Sequence, residues 1–144
     1  GAYGKATDFL AVPLDRVESG FKEFDLIDEG NIHFVKGLFE QTTPLWENRT
    51  DPIAVLRVDA NFYDSYQDVM YAMYDKVAMG GIVIFDDVMT HKEVMRFWID
   101  FKSDHGLPEE LVRIDQHSAW FRKKKSIQID QRKKHPPQDV NKLK

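Results

Sequence analysis

Two apolar runs in this 144-residue chain end in acid. Ile53-Ala54-Val55-Leu56 leads into Val58-Asp59-Ala60-Asn61, and Ile82-Val83-Ile84-Phe85 leads into Asp86-Asp87. In an open α/β sheet, ligands bind beyond the carboxyl ends of the strands, so two such strands aim Asp59, Asp86 and Asp87 at one crevice. Three carboxylates are hard oxygen donors of the kind Mg²⁺ prefers, with other positions left for water or a substrate oxygen. The set looks like a divalent-metal site. Each acid taken alone reads first as a cap on the loop or helix that follows.

The elements that must position these acids follow from periodicity. Leu10, Leu14, Val17, Phe21 and Phe24 fall at helical spacing, and Pro13 suits a first turn, which predicts a helix over 12–24. Residues 31–35 read as a short strand broken at Gly37, and a polar loop then reaches Asp51-Pro52. Ile53 to Val58 is apolar enough for a strand buried on both faces. Asp64 or Ser65 is expected to cap the next helix, whose stripe of Tyr66, Val69, Met70, Met73 and Val77 ends at Gly80-Gly81. A helix with Val94, Met95, Trp98, Ile99 and Phe101 on its buried side stops at Gly106 and Pro108. Strands at 111–114 and 119–122 close the chain as an antiparallel hairpin. The alternation predicts an α/β sheet.

Composition removes several function classes. No run approaches the ~18 apolar residues of a membrane span, and no signal-peptide core is present. The chain has no Cys, hence no disulfide framework and no thiolate metal site, and a reducing, cytoplasmic setting is the natural expectation. Charge is uneven: residues 1–121 hold 11 Lys/Arg against 22 Asp/Glu, while 122–144 hold 9 against 2. An acidic body argues against a nucleic-acid-binding core. The basic end, 124–144, is expected to be a solvated, disordered tail. No strand, Gly-rich turn and helix in series is found, so the usual opening of a nucleotide site is absent from these 144 residues, and the chain reads as the C-terminal part of a larger domain.

From Asp8 to Lys123 the chain resembles the macrocin O-methyltransferase family, which methylates sugar hydroxyls of macrolides and related natural products with S-adenosylmethionine. The resemblance is carried by Asp8-Phe9-Leu10-Ala11-Val12, by Phe34-Val35-Lys36-Gly37-Leu38-Phe39, and by Leu56-Arg57-Val58-Asp59-Ala60-Asn61-Phe62-Tyr63-Asp64-Ser65. It continues through Tyr74-Asp75-Lys76-Val77 and Gly80-Gly81-Ile82-Val83-Ile84-Phe85-Asp86-Asp87. It implies a Rossmann-like class I methyltransferase sheet that lacks its first two strands here, with residues 1–123 as the C-terminal part of that domain. It places the family's Mg²⁺ ligands on Asp59, Asp86 and Asp87. Of the S-adenosylmethionine pocket it leaves Gly37, Leu38 and Phe39 as an adenine-side wall. A small hydroxylated acceptor is the implied partner, with no nucleic acid or membrane, and a homo-oligomer is compatible with it.

One departure bears on catalysis. The family's Asp-Gly-Asp is Asp59-Ala60-Asn61 here, and a neutral amide can orient a hydroxyl but not take its proton. The base then lies elsewhere, or coordination alone acidifies the hydroxyl, or catalysis is weakened. His91, four residues past Asp87 in the same mouth loop, is of the residue type that can take such a proton near neutral pH, although it reads first as a solvated loop or helix-start residue. Arg57 reads as a partner for an acid such as Asp59 or as an edge-facing residue, Tyr63 as packing, and Trp120 as core. His33, His105 and His117 are assigned no role. Two other classes remain open: a metal-dependent transferase that uses a nucleotide donor, and a non-catalytic methyltransferase remnant that acts through its surface.

Overall fold

The computed structural model describes residues 12–27, 30, 32–46, 48 and 50–137, and the chain divides into two units, Gly1–Val35 and Lys36–Lys144. In the first, helix α1 spans Leu14–Glu23, with Pro13 at its N-cap and no buried residue. Leu10, placed on this helix by its spacing, lies outside the described residues, as does Asn31. Phe21 meets Phe34 edge to face with ring centroids 5.4 Å apart. The strand expected over 31–35 does not form: residues 32–36 carry no regular structure and have no ladder partner among the described residues.

The second unit opens with a short helix, α2, Phe39–Thr42, which tightens into a 3₁₀ turn over Thr43–Trp46. Thr42 and Thr43 donate their hydroxyls to the carbonyls of Leu38 and Phe39, and Pro44 has no N–H to continue an α-helix. Strand β1, Ile53–Val58, is followed by helix α3, Tyr63–Met73, whose N-cap is Phe62 with no side-chain hydrogen bond. The expected cap at Asp64 or Ser65 thus falls inside the helix, since the left-handed turn at Asn61 (φ 62°) starts it sooner.

α3 stops at Met73, gives one 3₁₀ turn over Tyr74–Lys76, and strand β2 begins at once, Val77–Phe85. Gly80-Gly81 therefore lies within a strand rather than ending a helix. The two glycines serve a bulge: Ile53 pairs with Val77 but Val55 with Ile82, and Gly80 takes φ 79°. A Cβ on Gly81 would stand 2.9 Å from the Ala78 carbonyl oxygen and 3.1 Å from that of Ala54. Helix α4, Lys92–His105, ends on a left-handed Gly106. Strands β3, Val112–Arg113, and β4, Ala119–Arg122, complete a sheet in the order β1-β2-β4-β3, with β1 parallel to β2 and both other pairings antiparallel.

Alternation along β2 and β4 puts Val83, Phe85, Ala119 and Phe121 on one face, where Tyr66, Val69 and Met70 of α3 and Phe97, Trp98 and Phe101 of α4 bury them. The aromatic rings interlock edge to face, Tyr66 on Phe85 at 5.2 Å and Phe85 on Trp98 at 5.6 Å. β1 was expected to be buried on both faces. Among the described residues it is not: β1 stands at the edge of their four-stranded sheet, and Val55 is 55% exposed. Trp120, expected in the core, lies on the half-covered side of the sheet.

The basic end holds the largest departure from expectation. Lys123 is buried, donating to the carbonyls of Tyr74 (3.0 Å) and Val77 (2.9 Å) with its ammonium 4.6 Å from the Tyr74 ring centre. Desolvation pushes its pKa down. Beyond it, residues 124–137 run along α3 and α4 as a strap. Gln67 exchanges two hydrogen bonds with the His135 backbone (2.8 and 2.9 Å), the Ile129 amide donates to Asp75 (3.0 Å), Gln131 donates to the Tyr71 carbonyl (2.8 Å), and Lys134 pairs with Asp68 (2.6 Å). The acids that make the body negative are the partners that order this basic segment. Residues 138–144 lie outside the described residues. No helix of the described residues is long and apolar enough to cross a membrane.

Candidate active site

β1 and β2 are parallel neighbours in register at Val58 and Phe85, so the residues after them leave the sheet side by side. Asp59 and Asp86 come within hydrogen-bonding reach of each other, and Arg57 reaches across both: its Nη2 is 3.1 Å from Asp59 and also bonded to Asp86. Arg57 is thus paired with the acids. The Tyr66 hydroxyl, buried beneath, lies 2.9 Å from the Val58 carbonyl oxygen and 2.5 Å from that of Asp86, and its one proton, shared between the two acceptors, ties the strand ends together from below.

The two carboxylates titrate in opposite directions. Burial, then the charge of Asp86, raises the pKa of Asp59. The Ser118 hydroxyl, donating at 2.7 Å, is the largest influence lowering that of Asp86; the Asp87 amide (3.1 Å) and Arg57 add to it. Asp86 is the settled anion of the pair, and Asp59 bears the cost of having it as a neighbour.

Asp87 faces another way. It adopts φ 53°, and its Oδ1 lies 3.8 Å from His91 Nδ1 and 3.7 Å from His117 Nδ1, with the Thr90 hydroxyl 3.3 and 3.5 Å from those same nitrogens. The structure therefore brings Asp59 with Asp86, and Asp87 with His91, as two adjoining groups. Among the described residues no set of three or more His, Cys, Asp and Glu is arranged to hold a metal ion as it stands. The Asp59 and Asp86 pair does fit a divalent cation in donor chemistry: its oxygens are hard, and a cation, the Arg57 guanidinium, already lies against them.

His91 is the N-cap of α4, without a side-chain capping bond, and its amide donates to the Asp87 carbonyl at 2.8 Å. Its ring nitrogen Nδ1 lies between the Thr90 hydroxyl and Asp87. Asn61 sits in the left-handed region with its Oδ1 buried and unpartnered. Gly37, Leu38 and Phe39 open α2, and no hydrogen bond or ion pair of the described residues links them to the acids; Leu38 is 61% exposed. Tyr63 is core, donating to Asp100 at 3.0 Å.

The sequence reading missed His117 and Ser118. Both come from the turn between β3 and β4, where Asp115 Oδ1 accepts the amides of His117 (2.8 Å) and Ser118 (2.7 Å). An Asp placed two and three residues before a His-Ser pair, between two short strands, is the signal of such a turn.

Residues 2–123 match the macrocin-O-methyltransferase family. The chain belongs to that family. It is 31% identical over 122 residues to demethyldecarbamoylnovobiocin O-methyltransferase of Streptomyces niveus, a match covering 85% of this chain and 45% of that enzyme. It is 30% identical over 126 residues to mycinamicin III 3''-O-methyltransferase of Micromonospora griseorubida, covering 84% and 46% respectively. The solved O-methyltransferase NovP superposes with a TM-score of 0.75 at 32% identity, over 81% of this chain and 47% of NovP. The sheet is accordingly that of a Rossmann-like class I methyltransferase. The chain spans less than half the length of these macrocin-O-methyltransferase relatives.

Proposed function

We propose that the protein is an S-adenosylmethionine-dependent and Mg²⁺-dependent O-methyltransferase acting on a hydroxyl of a sugar or glycosylated natural product. The observation that carries this is the meeting of Asp59 and Asp86 at the carboxyl ends of adjacent parallel strands, in a member of this family. Asp59 and Asp86, with Asp87 as the third acid, would hold the cation. A bound divalent cation supplies charge that lowers the pKa of an acceptor hydroxyl and orients it.

The remaining work falls to the chain's own side chains. Asn61 orients the hydroxyl and has no basicity with which to take its proton. His91 is the proton acceptor, held at the mouth by its helix-start position and by Asp87. Gly37, Leu38 and Phe39 offer a wall for the adenine of S-adenosylmethionine, which supplies the methyl group. The Gly-rich turn that would hold the rest of that cofactor is not among the 144 residues.

The test is transfer of a labelled methyl group from S-adenosylmethionine to glycosylated acceptors by the full-length protein with Mg²⁺. Asp86→Asn is expected to lower turnover by ~100-fold or more, with the fold kept as judged by circular dichroism. Turnover unchanged by that substitution removes the cation reading.

A further inference from the structure

The turn between β3 and β4 is braced from three directions. The Ile114 amide donates to the Ser118 carbonyl at 2.9 Å, Asp115 Oδ1 accepts two amides from within the turn, and the Met89 amide donates to the His117 carbonyl at 2.9 Å. The last of these bonds fastens the turn to the loop that carries Asp86, Asp87 and His91. The turn fixes where the Ser118 Cα stands, and from there its hydroxyl donates to Asp86 at 2.7 Å.

The two oxygens of Asp86 are thereby made unequal. Oδ1 accepts the Ser118 hydroxyl (2.7 Å) and the Asp87 amide (3.1 Å), and Oδ2 is bonded to Arg57, on the side where Asp59 stands. A carboxylate free to rotate would exchange its oxygens; one whose Oδ1 holds two donors presents Oδ2 alone. Hydrogen bonds to a ligating carboxylate fix its orientation before the cation arrives, so less ordering remains to be done on binding.

We propose that Ser118 is a positioning residue: its hydroxyl, set by the Asp115–Ser118 turn, locks Asp86 so that Oδ2 faces the cation position shared with Asp59. This rests on the cation reading given above for the same acids. Neither the strand-end acids nor their spacing contains it, because Ser118 lies 32 residues beyond Asp86.

The experiment is titration of the full chain with Mn²⁺, read by the loss of free-ion paramagnetic resonance signal, for the parent, Ser118→Ala, Ser118→Thr and Asp86→Asn. Ser118→Ala is expected to bind Mn²⁺ about tenfold more weakly, within the range that hydrogen-bond partners of a metal ligand commonly contribute. Ser118→Thr, which keeps the hydroxyl, is expected to stay within about threefold of the parent. Asp115→Ala, which releases the turn without touching Asp86, is expected to follow Ser118→Ala. Thermal unfolding in chelator should differ little between the Ala and Thr variants, separating orientation from packing. Equal affinity in the parent and Ser118→Ala overturns this proposal and leaves the cation reading intact. A loss that Thr does not restore also overturns it, assigning the effect to packing at position 118. No Mn²⁺ bound by the parent, or binding unaffected by Asp86→Asn, overturns the cation reading and this proposal with it.

Discussion

The mouth of the sheet and the strap along α3 and α4 are built from the same kinds of residue and settle their charges differently. In the strap opposites meet: Lys134 finds Asp68, the amide of Ile129 finds Asp75, and Gln67 satisfies both the amide and the carbonyl of His135. At the mouth two carboxylates share one cation, Asp59 beside Asp86 with Arg57 against both, and two non-glycine residues, Asn61 and Asp87, are held in left-handed conformations. Asn61 Oδ1 is buried there without a partner. The difference separates what the strap is for from what the mouth is for. Paired groups stabilise the fold and have nothing left to offer a ligand, whereas opposed carboxylates and strained backbone are tolerated where a ligand can relieve them.

Breaking the strap should cost the most. Gln67→Ala leaves the amide and carbonyl of His135 without their partners in a partly buried setting, and about 2 kcal/mol of stability is expected to be lost, read as a lower midpoint in urea. A loss under ~0.5 kcal/mol would place the strap among weakly held segments and undo the contrast.

The mouth should respond with the opposite sign. Asp59→Asn removes a carboxylate whose ionisation is opposed by burial and by Asp86, so in the absence of divalent cation at neutral pH the variant is expected to equal or exceed the parent in stability. The gain should stay below ~1 kcal/mol, because Asp59 is half exposed and screened. A clear loss of stability would mean that its pairing with Arg57 outweighs the repulsion.

The smallest effect sharpens the comparison at the end of α4. Burial lowers the pKa of His105 below its ordinary 6.5, Lys133 of the strap lowers it further, and its Nε2 has no partner. The unfolded chain therefore takes up a proton at this residue before the folded one does. Its contribution to stability is present above about pH 6.5, the unfolded value, and is lost as pH falls below that and through the lowered folded value. His105→Gln is expected to flatten the dependence of the urea midpoint between pH 7 and 5.5; a slope equal to the parent's would assign the acid sensitivity to another group.

Much of this was legible in the chain. The runs before Asp59 and Asp86 became adjacent parallel strands, and the spacing from Val94 to Phe101 became α4, because period-two and period-3.6 burial are local properties that the sheet and helices preserve. Gly80-Gly81 misled, since two glycines at the end of a helical stripe resemble a stop; β2 needs them for a bulge where Gly81 has no room for a Cβ. The run 31–35 has strand character in sequence, but residues 32–35 join no ladder among the described residues. The basic end resembled a disordered tail because net charge says nothing about where the compensating acids lie once α3 and α4 have formed.

The sequence by itself determined that acids end β1 and β2, that Asn61 replaces a carboxylate, and most of the core-facing side of α3 and α4, though not Ile99, which is exposed, because each depends on neighbours a few positions away. Only the tertiary structure decided that Asp87 turns toward His91 and His117 while Asp86 stays with Asp59, that Ser118 takes hold of Asp86, and that residues 124–137 bind α3. The contacts of Asp87 with His117, of Ser118 with Asp86 and of Gln67 with His135 join residues roughly 30 to 70 positions apart, and direction across such a span is set by how the sheet twists and how the hairpin folds back, which no local pattern of residue types encodes.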